Sequence, residues 1–212
     1  MWISRTREKI LKLFFDTPEL IIHQRGIARR TGIVPQNVHK YLKEFVEKGL
    51  LIRQEIPHLT LFKINPGHDG LIKIFEWFEL HRREEFIDQN ERIGRLLNRY
   101  AEDLVRKSQR KIQMVLILRL NPNEKLVEGS PVNVITTTST AVDQTEIHRI
   151  YHDVAKKTSL LIKASPSNIF LPAFIKDLEE NAEFYDLIRA KRIVLYNEYL
   201  FWRLIREARF KR

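Results

Sequence analysis

Gln36, Asn37, His39, Lys40 and Lys43 set amide, imidazole and ammonium groups close together in one short stretch. An amide presents a donor and an acceptor side by side and can pair with adenine, while lysines take guanine edges or phosphate oxygens. Such a set suits a polyanion with readable edges, although a charged helix face is most often simply solvated. Arg29, Arg30 and Arg53 flank the stretch as candidate phosphate contacts, and Arg25 fits either that role or a structural ion pair. His58, in the pair Pro57-His58, stands where a turn tip enters a minor groove or merely reverses the chain.

The elements that must position these residues follow from the surrounding sequence. Ile27 and Ala28 sit on a short helix that breaks at Gly32, and Pro35 opens the next helix, where a missing N–H does no harm. Val38, Leu42 and Phe45 recur at helical spacing and face inward, which leaves Gln36, Lys40 and Lys43 on the opposite face. Ser4 or Thr6 caps an earlier helix with Ile10, Leu11, Leu13, Phe14 and Phe15 inward, ended by Thr17-Pro18. Gly49 supplies a left-handed stop, and Leu51 to Ile56 and Leu59 to Ile64 read as two strands joined around Pro57-His58. Three helices and a β-hairpin, carried by Arg25, Ala28, Gly32, Val38, Leu42, Gly49 and Leu50, resemble the winged helix-turn-helix family of prokaryotic transcription regulators. That resemblance implies binding to double-stranded DNA through Gln36, Asn37, His39, Lys40, Lys43, Arg29, Arg30, Arg53 and His58.

Asn65-Pro66-Gly67 is a turn cluster, so a DNA-binding domain over 1–66 is expected, followed by a helical connector over 67–90 and an α/β domain over 91–212. Leu71, Phe75 and Phe78 mark one helical face; Phe86, Ile93 and Tyr100, seven apart and flanked by Leu97 and Leu104, mark a second, with a polar break from Asp88 to Arg92. The second stripe suits a dimerising seam or the inner face of a helix, and its shortness favours the inner face. Ile112 to Leu120 is a buried strand, Val132 to Thr138 an alternating one, and a helix over 143–157 leads to a third strand, Leu160 to Ala164. A helix from Pro172 to Arg189, a short strand from Arg192 to Tyr196 and a helix from Asn197 to Arg212 complete an α/β arrangement.

The spacing in this second half resembles the minimal nucleotidyltransferase family over most of residues 90–205. The resemblance implies a Gly-Ser pair after the first strand and two metal-binding aspartates opening the second. Arg119 and Leu120 occupy the first pair of positions, and Pro131 and Asn133 the second. Close phosphate approach is obstructed and the hard oxygen ligands of magnesium are lacking, so the expectation is an inactive, cofactor-free module. A third carboxylate, expected near Thr158 to Ile162, has no counterpart. His148 and His152, four apart on a helix, lack a third ligand, so no metal site is expected. Tyr100, Tyr151, Phe170, Phe174, Phe184, Tyr185, Phe201 and Trp202 read as core or interface anchors, and Arg203, Arg206, Arg209, Lys211 and Arg212 as a solvated helix end.

Composition sets the bounds on partners. The 37 Lys and Arg against 27 Asp and Glu give a net charge of +10, an attraction to polyanions. The excess is densest in residues 1–65, which hold 12 basic and 6 acidic side chains. The absence of cysteine excludes disulfides and thiolate zinc sites, and no apolar run reaches membrane-span length, so a cytoplasmic protein with no membrane partner is expected. Abundant Lys, Arg, Glu and Ile with few Gly suit an archaeal or thermophilic source. The preferred expectation is a sequence-specific regulator and not an enzyme, with a second copy of the chain and a basal transcription component as candidate protein partners. The competing readings are an active nucleotidyltransferase with a winged-helix substrate handle, and a winged-helix adaptor that binds protein instead of DNA.

Overall fold

The computed structural model describes residues 4–140, 144–158 and 163–210, which divide into two compact units, Met1–Phe78 and Glu79–Arg212. In the first unit, Ser4 caps α1 (Arg5–Asp16) by accepting from the Arg7 N–H, and Ile10, Leu11, Phe14 and Phe15 are buried. A two-residue strand, β1 (Ile22–His23), leads into α2 (Gln24–Thr31) and α3 (Pro35–Glu47). The hairpin β2 (Leu51–Ile56) and β3 (Leu59–Ile64) follows, and the three strands form an antiparallel sheet of order β1-β3-β2. His58 at the tip has φ 62°, and a positive φ directly after a proline is the mark of a type II turn.

The long helix α4 (Asp69–Gln89) contains the division between units, which falls after Phe78 and not at the Asn65-Pro66-Gly67 turn. The reason is packing: the rings of Phe75 and Phe78 lie 5.7 and 5.1 Å from that of Phe15, so the first turns of α4 complete the first unit's core. The turn itself fastens the hairpin, since Asn65 Nδ2 donates to the Gly49 carbonyl at 2.8 Å.

In the second unit, α5 (Glu91–Lys107) leads to β4 (Ile112–Leu118), β5 (Pro131–Thr138), α6 (Gln144–Thr158) and β6 (Lys163–Phe170). Then come α7 (Leu171–Glu180), α8 (Ala182–Ala190), β7 (Arg192–Tyr196) and α9 (Glu198–Phe210). The four-stranded sheet has the order β6-β5-β4-β7; β4 is antiparallel to β5 and β7, and β6 is parallel to β5. Its arrangement is a mixed α/β one. Phe86, Ile93 and Tyr100 bury with Leu97, Leu104, Ile117 and Val134 in one core, so the seven-residue stripe is an inner helix face. Burial holds the Tyr151 hydroxyl up to about 12, and it shares a 2.6 Å hydrogen bond with Thr136 on β5.

Two breaks are held by asparagines. Asn90, between α4 and α5, donates to the carbonyls of Phe86 and Glu124 and accepts from the Leu126 N–H at 2.7 Å. Asn181 accepts from the Phe184 N–H at 3.0 Å and divides the expected single helix Pro172–Arg189 into α7 and α8. Of the expected third strand, Leu160 to Ala164, residues 160–162 lie outside the described residues, while Lys163 and Ala164 open β6, which continues to Phe170.

The largest fully buried side chain is Arg192 on β7. It donates to Glu79 on α4 and to the carbonyls of Ile188 and Arg189, and its guanidinium lies 4.6 Å from the Phe201 ring centre. A buried cation of this kind persists because a carboxylate, two carbonyls and a π face replace its hydration.

Candidate nucleic-acid interface

The helix pair that carries the candidate residues is set by local chemistry at its turn. Gly32 takes φ 68°, a conformation open to residues without a Cβ, and its N–H donates to the Ala28 carbonyl at 2.9 Å. Thr31 Oγ1 donates to the Ile27 carbonyl at 2.8 Å and accepts from the Ile33 N–H at 3.3 Å. Pro35 then starts α3 at its first position.

The rear of α3 is fixed in two ways. Val38, Leu42 and Phe45 are buried in the three-helix core. Glu44 accepts from Arg7 of α1 at 2.9 to 3.2 Å and from Lys48 at 2.6 Å, and the Arg7 guanidinium lies 5.0 Å from the Tyr41 ring centre. The hydrogen bonds from Arg7, then that from Lys48, hold the Glu44 carboxyl below the usual carboxylate range, and Glu44 in turn holds the Arg7 guanidinium above its ordinary value.

The front of α3 is open. Gln36, Asn37, His39, Lys40 and Lys43 are all exposed, as are Arg29 and Arg30 at the end of α2 and Arg25 at its start. Arg29, Arg30 and Lys40 make no ion pair among the described residues. Lys43 lies 3.9 Å from Glu47, and both side chains are mostly in solvent. Arg53 pairs with Glu55 along β2, also in solvent.

Between α3 and the inner face of the hairpin runs a groove of 520 Å³. His39, Lys43 and Arg53 meet in it, over an apolar floor that includes Leu42, Val46 and Phe62. Gln36, Asn37 and Lys40 lie outside its lining, farther around α3, and His58 stands exposed at the hairpin tip. Gln24 also lines the groove and was not signalled by the sequence. Its Oε1 lies 3.2 Å from His39 Nδ1 and accepts from it in the tautomer that carries the proton there, and its Nε2 donates to the Pro35 carbonyl at 3.0 Å. It therefore joins the start of α2 to the start of α3 and aims the His39 ring. A glutamine directly after the two-residue β1, a strand without a sequence pattern of its own, carries no local mark of this role.

In the second unit the four positions singled out by spacing come together at one end of the sheet. Arg119 follows β4 with φ 64° and donates its N–H to the Lys191 carbonyl at 2.9 Å. Leu120 is buried, Pro131 opens β5, and exposed Asn133 is in register with Leu118 on β4 and Ser165 on β6. The expected third position falls in 159–162, outside the described residues, apart from Thr158 at the end of α6. His148 and His152 are both exposed on α6, and among the described residues no three His, Cys, Asp or Glu side chains gather into a metal-holding group.

A family model described as winged helix-turn-helix DNA-binding matches residues 3–52, which run from α1 to the second residue of β2. The first unit is thus a winged helix-turn-helix similar to DNA-binding members of that family, and β3 completes the wing. No curated protein and no solved structure matches the chain. Among the described residues, no helix is long and apolar enough to cross a membrane.

Proposed function

We propose that the chain is a sequence-specific DNA-binding transcription regulator, reading the major groove with α3 and the adjoining backbone with the wing. The supporting observation is the asymmetry of α3. Its rear is buried and clamped through Glu44, while its front presents two amides, an imidazole and two lysines beside Arg29, Arg30 and Arg53. In this reading Gln36, Asn37 and Lys40 meet base edges or phosphates, and Lys43, His39 and Arg53 grip backbone along the groove. His58 approaches the minor groove from the wing tip.

The second unit, in this proposal, is a nucleotidyltransferase-like module without activity that recruits a basal transcription component or pairs chains. The substitution of Arg119, Leu120, Pro131 and Asn133 at the inferred site supports it. Selection of bound duplexes from a random library at a stated salt concentration tests the main reading. A recovered consensus is expected; recovery of unenriched sequence refutes it. Calorimetry with ATP and magnesium tests the second unit, where tight, metal-dependent binding refutes the loss of function.

A further inference from the structure

The wing sheet has two edges. One is β1, only two residues long, and the other is β2, six residues long, in unbroken register with β3 and exposed from Ile52 to Ile56. Edge strands of this length are ordinarily blunted by lysine, proline or a bulge. β6, at the edge of the other sheet, carries Pro166; β2 has no proline, lysine or bulge, and its two charges, Arg53 and Glu55, are of opposite sign, so they repel a second strand only in some registers. The chain carries a net charge of +10, so an edge of two copies can meet only where its charges match locally.

They do match. The Asn65 N–H donates to the Leu50 carbonyl at 2.9 Å, and in an antiparallel ladder hydrogen-bonding residues alternate. Residues 52, 54 and 56 therefore direct their N–H and C=O groups to β3, and Arg53 and Glu55 direct theirs outward. Outward residues must oppose outward residues, so a symmetric β2 to β2 pairing is centred on Arg53, Gln54 or Glu55. Centring on Arg53 sets arginine against arginine, and centring on Glu55 sets glutamate against glutamate; both are unfavourable directly across strands. Centring on Gln54 sets Arg53 opposite Glu55 and Ile52 opposite Ile56, each twice by symmetry. Pro57 then stands opposite Leu51 and, having no N–H, ends the ladder.

We propose that β2 pairs antiparallel with β2 of a second copy of this chain, in the register that places Gln54 across from Gln54. The Ile-Arg-Gln-Glu-Ile sequence is its own complement in that register, and Ile52 and Ile56, each at least a third exposed, gain a cross-strand partner. The pairing does not depend on the DNA-binding reading, because it is measured without DNA.

The test uses the full chain of 25.4 kDa. Sedimentation is expected to give twice that mass. Arg53→Glu and Glu55→Arg, both at exposed side chains, are each expected to sediment as monomers and to recover the double mass only when mixed. Because the chain has no cysteine, Gln54→Cys introduces a single thiol. It is expected to form a covalent dimer on mild oxidation, since Cβ atoms across such a pair lie about 5 Å apart and adjust readily to a disulfide. Ile52→Cys, whose counterpart stands opposite Ile56 instead, is expected to cross-link far more slowly. A wild-type monomer, a dimer that survives either charge reversal, failure of the mixed variants to associate, or equal cross-linking at 52 and 54 overturns the proposal.

Discussion

Replacing Lys40 and Lys43 together by alanine should change the salt dependence of DNA binding by a calculable amount. Arg29, Arg30, Lys40, Lys43 and Arg53 are the exposed cations that the proposal sets against DNA. If each neutralises one phosphate, the logarithm of affinity falls against the logarithm of salt with a slope of about −4.5. A fourfold rise in salt then weakens binding roughly 500-fold. The double variant keeps three contacts, so its slope becomes about −2.7 and the same rise costs roughly 40-fold. The fold should not interfere: Val38, Leu42, Phe45 and Glu44 are untouched, and the Lys43–Glu47 pair, 71% and 64% exposed, is a weak solvent pair. Stability should change by less than about 0.5 kcal/mol. Fluorescence anisotropy of a labelled duplex, titrated at a series of salt concentrations, reads the slope directly. An unchanged slope in the double variant would remove this face of α3 from the interface, whatever its absolute affinity.

Three further outcomes follow from contacts behind the interface and in the second unit. Arg192→Leu removes the closer of the two cations beside the buried Glu79 carboxylate, leaving Arg82 at 3.9 Å, and should cost about 3 kcal/mol, read from urea unfolding; a loss below about 1 kcal/mol contradicts the anchoring role. Gly32→Ala meets no neighbouring atom but must hold a positive φ, so a loss of about 1 kcal/mol from strain alone is expected in the same measurement. Glu44 has its folded pKa depressed, so its contribution is present above the unfolded carboxylate value and is lost as pH falls through the lower, folded one. Wild type should therefore exceed Glu44→Gln in urea midpoint at neutral pH, and the gap should close in acid; a gap that persists there contradicts the assignment.

The elements legible in the sequence are those whose boundaries are written in neighbouring residues. Gly49 and Pro57-His58 bracket the hairpin, and both strands fall where their alternation places them. β1 escaped because two residues have no pattern of their own; Ile22 and His23 become a strand only by pairing with Phe62 and Leu61. Of β6 the sequence marked only Lys163 and Ala164, the described end of the expected Leu160 to Ala164 strand. Its continuation to Phe170 escaped because that edge is polar and alternately exposed, with Asn168 bonded to Thr136 and Thr138 of β5. The break at Asn181 turns on one side-chain cap that apolar periodicity does not register.

The candidate site divides in the same way. Its front was legible because exposure on α3 follows from the spacing of Val38, Leu42 and Phe45, all within one helix. Its placement was not, because the contacts that fix α3 are distant in sequence: Arg7 reaches Glu44 from α1, and Gln24 reaches His39 and Pro35 from α2. Arg53 shows both aspects. Its charge marks it as a cation for DNA, but only the hairpin register turns it toward α3, on the same face as buried Leu51, with Ile52 and Ile56 on the other. A one-residue slip would exchange those faces, remove Arg53 from the groove and replace it with Ile52 or Gln54. The turn at Pro57-His58 and the Asn65 bond to Gly49 therefore position the interface as directly as any residue expected to touch DNA.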